Sequence, residues 1–194
     1  MLDQFQMLLR FTAGMRCYFR RTLSAADCQA IIAESLRQRE RNFLLLLQRA
    51  VFGFPQSPYL ALFKWAGIEY GDVEQMVLAD GIEASMQRFF DAGVHVSLDA
   101  FKGRQPIQRP GLSLHVSPDD FDNPLLAGDF VVGSGGSTGP RRRMKIDFDL
   151  LVHDAACCYY HFEAVDARHR PLAVWRGVPP DASGIKQAFV SAKL

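Results

Sequence analysis

The spacing of apolar residues changes at Gly93, and that change limits the chain to folds that mix helices with strands. Before Gly93, apolar residues recur at intervals near three and four, the period of a helix buried along one face. Ser24 is placed to cap a long helix running toward Phe52, with Asp27 positioned for a capping-box reach back. Along it Ile31, Ser35, Leu36, Phe43, Leu46, Leu47 and Ala50 form the apolar stripe, and the run RQRERN forms the solvated side. The next helix, SPYLALFKWAG, stops at Gly67, which suits the left-handed conformation beyond a helix end. A second short helix is capped near Asp72, and a third, GIEASMQRFFDAG, ends at Gly93.

After Gly93, Val94 and Val96 alternate with His95 and Ser97, a two-residue period that predicts a strand. Residues 101–124 are rich in Pro, Gly and Asp and read as irregular. Phe130, Val131 and Val132 predict a short buried strand running into GSGGSTG. MKIDFD predicts another, with Met144, Ile146 and Phe148 on one face. DLLVHDAACCYYHFEAV reads as a helix, PLAVW as a strand and DASGIKQAFVSAKL as a helix. This order predicts an α/β unit with parallel pairing, preceded by a helical N-terminal region over residues 1–54.

Composition narrows the function. With 194 residues, 48% hydrophobic and 22% charged, the chain reads as an ordinary globular protein with a sizeable core. Its net charge of +1 gives no overall field toward nucleic acid or an anionic membrane. Basic residues cluster locally at 20–21, 37–41 and 141–145. The four cysteines form no C-x-x-C pair and no secretory leader is recognisable, so reduced thiols and a cytoplasmic location are expected.

The segment FVVGSGGSTGPRRRMKIDFD carries the most chemistry. Glycine lets a backbone approach a ligand, hydroxyls add donors, and successive main-chain N–H groups can form an anion-binding nest. Ser134, Gly135, Gly136, Ser137, Thr138 and Gly139, followed by Arg141 and Arg142, therefore suit a polyphosphate clamp. They equally suit a polar hairpin with no ligand. No Gly-Lys-Ser/Thr closes the run as in a Walker A loop, and Thr138 stands where a dinucleotide fingerprint needs its third glycine.

Gly135 to Gly139 resembles, without a gap, the phosphate loop of the adenylate-forming (acyl-CoA ligase) superfamily, roughly S-S/G-G-S/T-T-G-x-P-K. Pro140 comes one place early, and Arg142 stands where lysine is usual. Upstream, SPYLALFKWAGIEYGDVEQM is similar to phenylacetate–CoA ligase-like enzymes and bacterial-luciferase acyl-protein synthetases, and VHVSLDAFKGRQPIQRPG resembles bacterial acyl-CoA-synthetase-like proteins of unassigned substrate. The resemblance spans about residues 40–194.

It implies an α/β fold in which residues 55–194 are an incomplete N-terminal domain of such a ligase. It also implies ATP with Mg2+, a small carboxylic-acid substrate, and CoA or an acyl-carrier or protein thiol as acceptor. ATP phosphates would be bound by Ser134, Gly135, Gly136, Ser137, Thr138, Gly139, Arg141 and Arg142, with segment 133–142 at the surface between two strands. The family's adenine-binding segment, metal-binding Glu, ribose-binding Asp and catalytic Lys come later than Leu194, so no catalytic residue is assigned here. The chain is expected to be a fragment, a truncated product, or a subunit completed by a companion chain, and to self-associate. The alternative is a non-catalytic α/β module that binds a partner through its N-terminal helices.

Other constellations point elsewhere only weakly. Asp149, His153, Cys157 and His161 are spaced by four, so a helix presents them as one stripe. At ~1.5 Å rise per residue its ends lie ~18 Å apart, so at most two neighbours could share a metal ion. Ser134 lacks the G-x-S-x-G setting of a hydrolase nucleophile. His95, His115 and His169 are isolated, and Trp65 and Trp175 read as core.

Overall fold

The structure, a computed structural model, describes residues 2–126, 128–133, 143–176 and 183–194. The chain is mixed α/β and mostly helical. It divides into two compact units, residues 1–36 with 126–194, and residues 37–125.

The first unit contains α1 (Leu2–Tyr18), α2 (Ala25–Arg37), the strands β3 (Phe130–Gly133) and β4 (Arg143–Ile146), α7 (Phe148–Ala164) and α8 (Ser183–Lys193). The expected cap of α2 forms: Ser24 N donates to Asp27 Oδ2 at 2.9 Å, and Asp27 N donates to Ser24 Oγ at 3.2 Å. Arg21 pairs with the same carboxylate. The core is a set of rings. Phe148 lies 5.2 Å from Tyr18, 5.8 Å from Phe130 and 5.9 Å from both Phe11 and Phe189. Gly14 is part of this packing, because a Cβ there would stand 2.5 Å from the Phe148 ring.

Polar contacts tie α8 to α1. Tyr18 donates its hydroxyl to Phe189 O at 2.8 Å, and buried Lys193 donates to Tyr18 O at 2.5 Å and Arg21 O at 2.7 Å. A cation over the last carbonyls of a helix opposes the negative end of its dipole. Burial, and then Asp154, push the Tyr18 phenol up to about 12. A folded-state value above the unfolded one makes this contribution present below pH ~10 and lost as pH rises toward 12. Denaturation followed from neutral to alkaline pH should show that loss, and Tyr18→Phe should flatten it. A wild-type alkaline limb unchanged in Tyr18→Phe would contradict the assignment.

The second unit contains α3 (Arg39–Leu46), a π-helical segment (Leu47–Phe52), α4 (Pro58–Trp65), α5 (Tyr70–Asp91), α6 (Leu98–Phe101), and the strands β1 (Ile107–Arg109) and β2 (Leu112–Leu114). Leu62, Phe63, Val73, Val77 and Phe89 make its buried centre. Gly67 and Gly93 take positive φ at +70° and +84° as helix ends. Glu69 caps α5, with its N–H donated to Asp72 at 2.8 Å. The two helices expected between Asp72 and Gly93 both form within α5, broken at Gly81, whose φ of +81° and ψ of 175° are not helical.

Several expectations are corrected. The helix read from Ser24 to Phe52 is interrupted at Gln38 (φ −96°, ψ 8°) and changes to π geometry at Leu47. Gln38 sits in a polar run with no apolar side chain to bury, so packing does not enforce helix there. Residues 94–97 pair with no strand. Arg109 takes the carbonyls a neighbour would have bonded, donating to Gly93 O at 2.9 Å and His95 O at 2.8 Å. Residues 107–114, read as irregular, form an antiparallel hairpin.

Pairing is antiparallel in both sheets, not parallel. Nine residues link Gly133 to Arg143, fewer than the dozen or more a parallel crossover needs. Residues 171–176 carry no strand, and Trp175, read as core, is 100% exposed. The strand read through Phe148 stops at Ile146, because Phe148 opens α7. Of the face expected to hold Met144, Ile146 and Phe148, Ile146 and Phe148 are buried and Met144 is exposed. Among the described residues, no helix is long and apolar enough to cross a membrane.

Candidate functional site

The β3–β4 hairpin frames the Gly/Ser/Thr segment. Phe130 pairs with Ile146, Val131 with Lys145, Val132 with Met144 and Gly133 with Arg143. The Gly133–Arg143 pair therefore holds the two ends of residues 134–142 one strand spacing apart. Ser134, Gly135, Gly136, Ser137, Thr138, Gly139, Arg141 and Arg142 themselves lie outside the described residues. So does any test of the expectation that this segment is at the surface.

The opposite end of the hairpin is locked by two carboxylates. Asp129 N donates to Ile146 O at 2.9 Å, and Asp129 Oδ2 accepts from Phe148 N at 2.8 Å. Asp147 Oδ1 accepts from Gly128 N at 2.7 Å. Gly128 has φ +70°, and a Cβ there would stand 3.2 Å from the Lys145 side chain. This arrangement has an electrostatic consequence. Helix N-termini attract anions, but Asp129 already occupies the first free N–H of α7. The Gly133–Arg143 end of the hairpin lies away from both carboxylates. Four residues of strand at ~3.3 Å each set that end ~13 Å from Asp129 and Asp147, which removes their repulsion beyond about one Debye length.

The stripe on α7 does not assemble a metal centre. Among the described residues, no group of three His, Cys, Asp or Glu side chains is placed to hold an ion. His95 packs on Phe90 with ring centroids 4.5 Å apart and touches the Arg109 guanidinium through Nδ1 at 3.2 Å. Burial, and then that guanidinium, hold its ring below the usual histidine range. Trp65 donates to Pro110 O at 2.8 Å.

A cavity of about 310 Å³ in the second unit has no counterpart in the sequence reading. Phe43, Leu47, Ala50, Val51, Phe63 and Phe89 line it. Its wall is the π-helical segment, closed by Gly53 N donating to Gln48 O at 2.7 Å. A Cβ on Gly53 would meet that same oxygen at 2.9 Å, so glycine is needed there. Single-turn π geometry is common beside functional sites, but its five-residue step leaves no periodic signal in six residues. At the rim, Asp120 accepts from Ser117 N at 2.7 Å and Asn123 from Leu125 N at 2.9 Å. The polar groups are thus engaged in their own turns, and the cavity offers mainly apolar wall.

The class these features define is a mixed α/β chain with two small antiparallel hairpins, one of them framing a Gly/Ser/Thr segment followed by arginines. No protein-family model, curated protein or solved structure matches the chain.

Proposed function

We propose that the chain supplies the polyphosphate-binding segment of an ATP-dependent carboxylic-acid ligase of the adenylate-forming type. The observation that supports this is the hairpin: a donor-rich segment closed by the Gly133–Arg143 pair, with the nearby carboxylates drawn to the far end. In such a ligase a carboxylate attacks the α-phosphate of the magnesium complex of ATP, giving an acyl-adenylate and pyrophosphate. A thiol, of CoA or of an acyl-carrier or other protein, then takes the acyl group.

The work of this chain is to hold the β- and γ-phosphates and steady the charge growing on the leaving pyrophosphate. Ser137 and Thr138 hydroxyls and the main-chain N–H groups around Gly136 are the donors. Arg142 supplies fixed charge, and its planar fork suits phosphate. The first departure from the superfamily's loop, arginine for lysine, keeps the charge. The second, Pro140 one place early, changes the register of the arginines against the glycines.

An amide NMR titration with pyrophosphate tests the assignment. Shifts should concentrate at residues 133–143 and be negligible at the 107–114 hairpin, which has turn and strands but no such segment. Shifts spread over the basic residues at 37–41, with none at 133–143, would contradict it.

A further inference from the structure

We infer that Cys157 is a nucleophilic thiol, activated by His153, that exchanges with small-molecule disulfides to form a mixed disulfide on α7. Three side chains of the first unit carry the inference. Ser35 Oγ donates its one hydrogen to Ile31 O at 2.8 Å, so it offers His153 only lone pairs. His153 Nε2, 3.1 Å from that oxygen, therefore bears the ring proton in the neutral imidazole. Its Nδ1 is then a lone pair, 3.7 Å from Cys157 Sγ one helical turn on. The thiol donates to it.

This arrangement lets His153 take the thiol proton without rearrangement. When the thiol proton passes to Nδ1, the imidazolium still donates on both sides, to Ser35 Oγ and to the thiolate. A thiol within reach of a histidine lone pair is placed for activation by an adjacent general base. The other thiols differ. Cys28 is buried, and burial and then Asp27 push it up. Burial and then Asp154 push Cys158 up. Cys17 is exposed like Cys157, and Lys193, which feels its charge, gives Nζ hydrogens to Tyr18 O and Arg21 O.

Geometry also selects the electrophile. Cys157 sits inside α7 (Phe148–Ala164), where main-chain N–H groups are spent on the helix, so its own helix offers its sulfur no oxyanion hole. Acyl transfer needs one; disulfide exchange keeps its charge on sulfur and does not. The Cys157 sulfur attacks one sulfur of the disulfide, a new S–S bond forms and the old one breaks. The expelled thiolate takes the proton from His153. Cys157 is oxidised, and the leaving half of the disulfide is reduced to a thiol.

The test is the rate of reaction of the whole chain with dipyridyl disulfide at pH 7, with peptide mapping of each cysteine. Cys17 in the same molecule is the reference. With His153 placed to take its proton, Cys157 should lead Cys17 by about tenfold. His153→Phe should bring Cys157 down to the rate of Cys17, and Ser35→Ala should slow it by about threefold. An unchanged Cys17 rate reports that the fold is kept; if His153→Phe disturbs it, His153→Gln makes the same comparison. Cys17 reacting first, or Cys157 keeping its rate in the folded His153 variant, would overturn the proposal.

Discussion

Phe148→Ala is expected to destabilise the first unit by about 3–5 kcal/mol, the range for removing a buried aromatic ring. Phe148 is 6% exposed and meets Phe11, Tyr18, Phe130 and Phe189, so the void would open on four neighbours at once. Collapse is restricted, because Phe148 N is tied to Asp129 Oδ2 and Gly14 already brings the α1 backbone against the ring. Edge-on and tilted ring contacts are worth roughly 0.5–1.5 kcal/mol beyond area, and alanine forfeits these too. Hydrogen exchange measured by peptide should rise by about 10²–10³-fold in α1, α7 and α8. Phe148→Leu, which fills most of the void, should cost less than half as much. Equal protection in Phe148→Ala and wild type would show that the ring cluster does not hold these helices together.

Where structure depends on a few neighbouring residues, it was legible. Ser24 with Asp27, the cap near Asp72 (formed with Glu69), and the glycines at 67 and 93 all act within one turn of themselves, and their local patterns predict them. Helices α7 and α8 follow from their patterns for the same reason. Strand pairing was not legible, because a two-residue period says which faces are buried and not what lies alongside. Val94 is buried as read, but its neighbours' carbonyls go to the Arg109 side chain rather than to a strand. Residues 171–176 have the composition of a strand but pair with no strand among the described residues.

The candidate site divides along the same line. Its donors and charges are readable one residue at a time in the sequence. The contacts that lock the far end of the hairpin, Asp129 capping α7 and Asp147 holding Gly128, depend on residues nineteen positions apart meeting across it. The apolar cavity beside the π-helical segment was invisible, since no sequence period announces a change in helical hydrogen bonding over six residues.

The central claim is that residues 134–142 bind the polyphosphate of ATP, and calorimetry of ATP and of pyrophosphate against the wild-type chain and Thr138→Ala/Arg142→Ala tests it most directly. Solvent screening at a single phosphate clamp keeps the affinity weak, on the order of millimolar. Hydrogen bonds to charged groups contribute about 1.5–3 kcal/mol each where they are made well. Losing one hydroxyl donor and one guanidinium should therefore lower the affinity by at least about tenfold, with pyrophosphate and ATP affected alike. The account predicts measurable binding of both ligands by the wild type and its loss in the double variant; equal binding by the two proteins would contradict it.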